Sequence, residues 1–327
     1  MTMPTESLSD TISDRLGWQR VFSVVDVAEH ERHACWCDTA GIASRFETIP
    51  EEPFAATLAR LDLGTIGISQ ARFTAQTWTR SGQGIARDDC DDLVVNVRHR
   101  GGAVGDMAGR NVVAPAGSVV MVDLAQTQRH RSDASDTSGF VLPRAVAEQL
   151  LPTSVRRLHG HVVAPDHAAL LVSHLAALRQ SAHHLPASSG PALAQTVLDL
   201  FAIGVAASLG SVTSDAARRD RGLRVALCDA IDRHLGSPSL NTARLSRMLG
   251  VSRSTLYRLL QDEGGVQAYI RNRRLARVAA QLRIEAERAT IATLAERWGF
   301  CDAAYLGRAF REVYGMTPGD YRALHGG

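Results

Sequence analysis

Between residues 20 and 142 the apolar positions come in short, β-branched runs. Leu93-Val94-Val95-Asn96-Val97 and Ser118-Val119-Val120-Met121-Val122 are two of them, bounded by Asp or Gly. Arg100-Gly101-Gly102 and Ala116-Gly117 supply turn signals between them. Short strands punctuated by glycine, with no helical period, predict a sandwich or small barrel. At Pro143 the pattern changes. Residues 144–151, 166–185 and 192–210 carry apolar positions at helical spacing, and Leu170, Leu171, His174, Leu175 and Leu178 fall on one face. The polar stretch 1–17 reads as disordered. Residues 211–221, Ser, Thr, Asp and Ala closing on Arg218, Arg219 and Arg221, read as an exposed linker open to proteases.

The C-terminal third says nearly the same thing twice. Leu245-Ser246-Arg247-Met248-Leu249-Gly250-Val251 recurs as Leu294-Ala295-Glu296-Arg297-Trp298-Gly299-Phe300, and each copy runs into a second helical segment. Helix, glycine turn and arginine-bearing helix is the helix-turn-helix pattern. It is expected at 242–261 and 291–312, within a domain spanning 222–327. A leading helix is expected over 223–235, a connecting helix over 266–284 and a short terminal helix from Pro318. The connecting helix, roughly 27 Å at 1.5 Å per residue, is a little under one DNA turn of about 34 Å. Two such heads predict a module that reads two successive major grooves.

Charge supports this division. The 327-residue chain has a net charge of only +2, but residues 217–327 hold 19 Arg and 11 acidic residues, while residues 1–216 hold 17 and 23. A basic third on an acidic body is the asymmetry expected where one domain meets phosphate. All 36 basic residues are Arg, so arginine number alone adds little. Five scattered cysteines with no C-x-x-C pair argue against a disulfide framework or a four-ligand zinc site. The polar N-terminus lacks an apolar signal core. The most apolar run, 193–209, is broken by Gln195, Thr196 and Asp199 and reads as a buried helix. A cytoplasmic, nucleoid-associated protein with no membrane contact is expected.

In the first head Leu245, Leu249, Val251, Leu256, Leu259 and Leu260 form the packing set. This leaves Arg253, Ser254, Tyr257 and Arg258 on the outer face of the second helix, where side chains enter a major groove. Arg258 suits guanine O6/N7, and Arg253 suits guanine or phosphate. In the second head Ala303, Ala304 and Gly307 offer little hydrogen bonding, and only Arg308 and Arg311 contact DNA strongly. The first head is expected to specify sequence and the second mainly to anchor.

The run Leu294-Ala295 through Gly299-Phe300, Asp302, Tyr305-Leu306, Arg308, Phe310-Arg311, Gly315, Thr317-Pro318 and Tyr321-Arg322 resembles the signature of the AraC/XylS family of bacterial transcription regulators. Arg274-Leu275-Ala276 agrees with it. The resemblance places base-contacting positions on Ser254, Tyr257 and Arg258, and on Ala303, Ala304, Gly307 and Arg308. Two departures stand out: two fewer residues than usual between Gly265 and Tyr269, and Ala304 in place of a small hydroxyl.

Residues 20–142, with Ala108-Gly109-Arg110 to Asp123 and its Pro115-x-Gly117 as the best match, are similar to the AraC-type sensor. The resemblance implies an α+β two-domain chain: a cupin-like jelly roll with flanking helices over 18–210, then an all-α domain with two helix-turn-helix motifs. It further implies a small-molecule effector, a homodimer built on the helices after the barrel, and activation, through RNA polymerase, of a catabolic operon for aromatic acids, amines or nitriles. Phe73, Trp78 and Val95 are candidate pocket walls; Arg72, Arg98 and Arg100 are candidate carboxylate anchors. Strand register decides which of them point inward. Two alternatives remain. A cupin-type metal enzyme needs converging histidines, whereas the strand region offers His99 and His130 singly, and His159-Gly160-His161 lies beyond it. The other is a regulator governed by a protein partner. No catalytic residue, metal or cofactor is assigned.

Overall fold

The computed structural model describes residues 15–42, 45–51, 53–88, 90–210, 215–284 and 289–325. Residues 1–14 of the expected disordered terminus lie outside these. Arg15 to Gly17 are placed: Arg15 bridges Pro186, and Leu16 is buried with its N–H on Leu185 O. The disordered reading therefore fails at its last three positions, because Leu16 joins the main core.

Among the described residues twelve strands form: β1 (Gln19–Ser23), β2 (Glu47–Pro50), β3 (Ala56–Asp62), β4 (Gly67–Phe73), β5 (Gln76–Arg80), β6 (Leu93–Arg100), β7 (Ala103–Met107), β8 (Arg110–Ala114), β9 (Val119–Asp123), β10 (Gln128–Ser132), β11 (Ser135–Leu142) and β12 (Val162–Val163). They build two sheets of antiparallel neighbours, ordered β1-β3-β4-β11-β6-β9-β12 and β2-β5-β10-β7-β8. Helices α1 (Arg32–Thr39) and α2 (Gly82–Asp88) interrupt the strand region, which the glycine-punctuated pattern does not anticipate. After the strands come α3 (Arg144–Leu150), α4 (Val155–Leu158), α5 (Pro165–Ser181) and α6 (Gly190–Ser208).

Period-two alternation assigns the faces of the larger sheet. Leu93, Val95 and Val97 of β6 join a core with Leu171, Leu175, Leu178, Val197 and Phe201 of α5 and α6. Phe140 and Phe201 meet edge to face at 5.6 Å. All five residues of β9 are buried, as befits a strand covered on both sides. The segment 187–208 is long and apolar enough to cross a membrane by length and composition; here one face of α6 packs on the sheet.

The C-terminal half is helical: α7 (Asp215–Arg233), α8 (Thr242–Leu249), α9 (Arg253–Leu259), α10 (Val266–Leu282), α11 (Ile291–Arg297), α12 (Ala303–Tyr314) and α13 (Pro318–His325). The expected linker at 211–221 is corrected from Asp215 onward, where the chain is already α7. Alanine and arginine are strong helix formers, and the run 216–219 of Ala and Arg continues the helix backwards. Residues 211–214 lie outside the described ones.

The connecting helix α10 serves two cores. Val266 and Ile270 pack with Leu227, Leu245, Leu256 and Leu260; Leu275, Val278 and Leu282 pack with Leu294, Leu306 and Phe310. The shortened turn does not prevent docking, since α10 starts directly after Gly265 and Val266 is fully buried.

Candidate DNA-reading surface and effector cavity

Each helix of the two heads starts on a side-chain cap. Asn241 accepts from Arg244 N–H at 2.9 Å, Ser252 from Thr255 N–H at 3.1 Å, Thr290 from Thr293 N–H at 3.1 Å and Asp302 from Tyr305 N–H at 2.6 Å. Such caps satisfy orphan backbone donors and fix where the helix begins. The turn glycines Gly250 and Gly299 both adopt left-handed φ, 66° and 70°. At Gly299 a Cβ would also lie 2.7 Å from the Arg274 guanidinium. That guanidinium ties the heads together, donating to Leu235 O, Ser237 O and Gly299 O at 2.6–2.9 Å.

On α9, Leu256 and Leu259 are buried, and Arg253, Ser254, Tyr257 and Arg258 are exposed together, as the sequence requires. On α12, Ala304, Arg308 and Arg311 are exposed, while Ala303 and Gly307 are half-buried. Three contacts escape the sequence. Asp220 of α7 binds Arg258 through both carboxylate oxygens, at 2.5 and 2.9 Å, and the pair holds the Asp220 carboxyl below its usual range. Helix α2 of the N-terminal half lies against α12. Arg283, after α10, donates to Asp88 O at the end of α2, at 3.0 Å.

A second set of contacts joins the halves through charge. Arg224 of α7 donates to Glu148 of α3 at 2.9 Å, to Glu263 at 3.3 Å and to Leu259 O, the last carbonyl of α9, at 2.6 Å. Glu148 also faces Arg144 at 3.7 Å, and Arg144 binds Asp123, the last residue of β9. Burial pushes the Glu263 carboxyl up, against the pull of Arg144 and Arg224. A polar chain thus runs from the barrel to the end of the first recognition helix.

Between the sheets lies a cavity of about 210 Å³. Its walls are Val94 and Asn96 of β6, Val120 and Val122 of β9, and Gln128 and His130 of β10, with Phe46, Phe73 and Trp78. Trp78 stacks parallel on His130 at 6.3 Å and meets Phe73 edge to face at 5.7 Å. Burial and nearby Arg98 push His130 down to about 4, so its ring is neutral near pH 7.

Of the six candidate pocket residues, Phe73, Trp78 and Arg98 line this space. The other three do not, and register is the reason. Val95 alternates to the opposite face of β6 and is buried under the helices. Arg72, one step from Phe73, points outward and pairs with Asp136 at 3.0 Å. Arg100 has the parity of Arg98, but the β6–β11 pairing shifts register between them, and Arg100 is exposed in the outer groove beside Arg72 and Arg179. Asn96, Gln128 and His130 were missed; alternation with Val94 and Arg98 would have found Asn96.

Of the histidines weighed for a cupin enzyme, His130 faces the cavity with Nδ1 buried and unpartnered, and the other three are engaged elsewhere. His159 Nδ1 accepts from Asp123 N–H at 3.1 Å and its Nε2 donates to Thr127 O at 3.0 Å. His161 bonds Ser208 at 2.8 Å and His99 bonds Ser138 at 2.8 Å.

Comparison with known proteins agrees with both halves. A helix-turn-helix domain model matches residues 245–324, and an AraC-binding-like domain model matches residues 38–204. The transcriptional activator NphR of Rhodococcus sp is 25% identical over 286 residues, covering 84% of this chain and 83% of NphR. The multiple antibiotic resistance protein MarA of Escherichia coli (strain K12) is 34% identical over 98 residues, 29% of this chain and 75% of MarA. The crystal structure of the AraC-like transcriptional activator CuxR aligns with TM-score 0.51 at 22% identity, covering 81% of this chain and 96% of CuxR, and so shares its fold. These relatives are regulators rather than enzymes. The chain belongs to the AraC/XylS family of transcription regulators, with an AraC-binding-like N-terminal domain and a helix-turn-helix DNA-binding domain.

Proposed function

We propose that the chain is an effector-responsive activator that acts in the cytoplasm on a catabolic operon. The observation that carries this reading is the pairing of an exposed, capped arginine helix with a largely apolar cavity between the sheets of the same chain. Arg258 reads guanine in a major groove, and Arg253, Ser254 and Tyr257 complete the first contact set. Ala303, Ala304 and Gly307 let the second helix approach closely, while Arg308 and Arg311 anchor it to phosphate. NphR, named as a transcriptional activator, is the relative that supports activation.

A small molecule of the aromatic acid, amine or nitrile type occupies the barrel and favours one arrangement of the two halves. The cavity between the sheets, lined by aromatic and aliphatic side chains, favours this over control by a protein partner. Leu170 of α5 and Ile203 of α6 are exposed and apolar, and they support a two-fold interface between copies. Pairing raises the local concentration of the second DNA-binding domain at a repeated site. RNA polymerase is the further partner that activation requires.

Genome-wide mapping of bound sites, with transcripts measured in the presence and absence of the chain, tests the proposal. The expected result is occupancy upstream of an operon whose transcripts fall when the chain is deleted. Occupied sites whose neighbouring transcripts rise on deletion would instead indicate repression.

A further inference from the structure

Arg98 is the charged group that the cavity leaves without a counter-ion. Its residue exposure is 3%, and it lines the space between the sheets. Nε donates to Gly101 O at 2.9 Å; Nη2 donates to Gly102 O and Ser135 Oγ, both at 2.7 Å. Asp133 attracts it only from beyond ion-pairing distance and is itself paired with Arg131 at 2.6 Å; among the described residues no carboxylate forms an ion pair with Arg98. The other charged side chain on the cavity is Arg60, exposed at its rim; no Asp or Glu lines it. A buried cation whose hydrogen-bond partners are all neutral is costly, and an incoming anion relieves that cost. Burial pulls Arg98 down to about 10, which leaves it charged at neutral pH.

The neutral polar groups aim at the same space. Asn96 Oδ1 and Gln128 Oε1 are buried acceptors without partners, and Trp78 Nε1 is a buried donor without one. A hydroxyl, which both donates and accepts, answers them. Asn96 and Arg98 are two apart on one face of β6, about 6.6 Å along the strand, roughly the span of one substituted benzene ring. The cavity volume of about 210 Å³ falls below the range for drug-sized ligands, roughly 300–1,000 Å³.

Resting on the effector reading above, we infer that the barrel takes a compact aromatic monocarboxylate carrying a hydroxyl group, with its carboxylate on Arg98 and its hydroxyl among Asn96, Gln128 and Trp78. The ring lies between Trp78 and the apolar wall of Val94, Val120 and Val122. Amines are repelled by the two arginines. Nitriles and amides leave Arg98 uncompensated. A dianion brings one charge more than the single buried guanidinium offsets.

The test is calorimetric titration of the full chain with 3- and 4-hydroxybenzoate, their amides and the matching hydroxybenzylamines. At least one acid is expected to bind, about 30-fold or more tighter than its amide, with no binding of the amines. Arg98→Met should abolish acid binding. Because Arg98 also ties the Gly101–Gly102 turn, Asn96→Leu is the second variant. It should retain benzoate while losing the preference for the hydroxylated acid. Amides binding as tightly as acids, or no acid binding at millimolar concentration, overturns the assignment. Operator affinity, measured on the same preparations, separates the two claims. An amide or amine that binds and changes operator affinity leaves effector control standing and removes the anion. If no compound binds or changes operator affinity, the assignment falls and control by a protein partner is favoured.

Discussion

Asp220 grips Arg258 end to end, with both carboxylate oxygens on both terminal nitrogens of the guanidinium. The arginine best placed to read a base is therefore already engaged, by the helix that precedes its own head. On the proposed reading, DNA displaces Asp220 before Arg258 reaches guanine. The pair is solvent-exposed and so weak, which suits a contact meant to exchange.

Asp220→Ala should tighten operator binding by about two- to fivefold at low salt. The gain should shrink as salt rises and screens the pair. Fluorescence anisotropy with labelled operator measures both. Weaker binding by the variant would mean that Asp220 positions Arg258 rather than restrains it.

The heads should differ in kind. Arg258→Ala should weaken specific binding by about 5- to 150-fold and relax preference at one fixed position. Arg311→Ala should weaken all sequences similarly and lower the salt slope by about one. Binding to a randomised-site library reads the difference. Equally sequence-blind losses would remove the specifying role from α9.

Arg224 holds the halves together at a buried junction. Arg224→Ala leaves Glu148 and Glu263 only Arg144 as a nearby cation and should destabilise the chain by up to about 3–5 kcal/mol. Arg224→Lys should recover little, because one ammonium cannot span Glu148, Glu263 and Leu259 O as the guanidinium does. Urea denaturation measures both. A loss under 1 kcal/mol would show the junction to be incidental.

His130 gives stability a pH dependence. Above about pH 6.5 the imidazole is neutral in both folded and unfolded chains. Between there and about 4, the unfolded chain takes a proton that the folded chain refuses, so stability falls as pH falls. His99, His159, His161 and His174 are shifted the same way. His130→Gln should therefore flatten part of the slope of melting temperature between pH 7 and 4.5, not all of it. An unchanged slope would place His130 in water.

Periodicity carried most of the architecture. The duplicated heads, their glycine turns and the helix between them are local signals, each written within a dozen residues. What failed was non-local. Val95 and Arg72 were misassigned to the cavity because a strand's alternation says which residues share a face, not which face is inside; Arg100 shares the parity of Arg98 but lies beyond a register shift in the β6–β11 pairing that separates the two. The linker was misread from Asp215 because its Ser and Thr precede a run of helix formers. Asp220 with Arg258, and α2 with α12, are contacts between segments far apart in the chain, and no spacing rule reports them.

The central claim, that one chain carries two reading heads set one DNA turn apart, is tested most directly by hydroxyl-radical footprinting of the full-length protein on a single operator half-site. The expected result is two protected segments on one face of the duplex, about 10 base pairs apart centre to centre. The segment under α9 should lose protection in Arg258→Ala, and the segment under α12 in Arg308→Ala. Protection confined to one major groove per chain would contradict it.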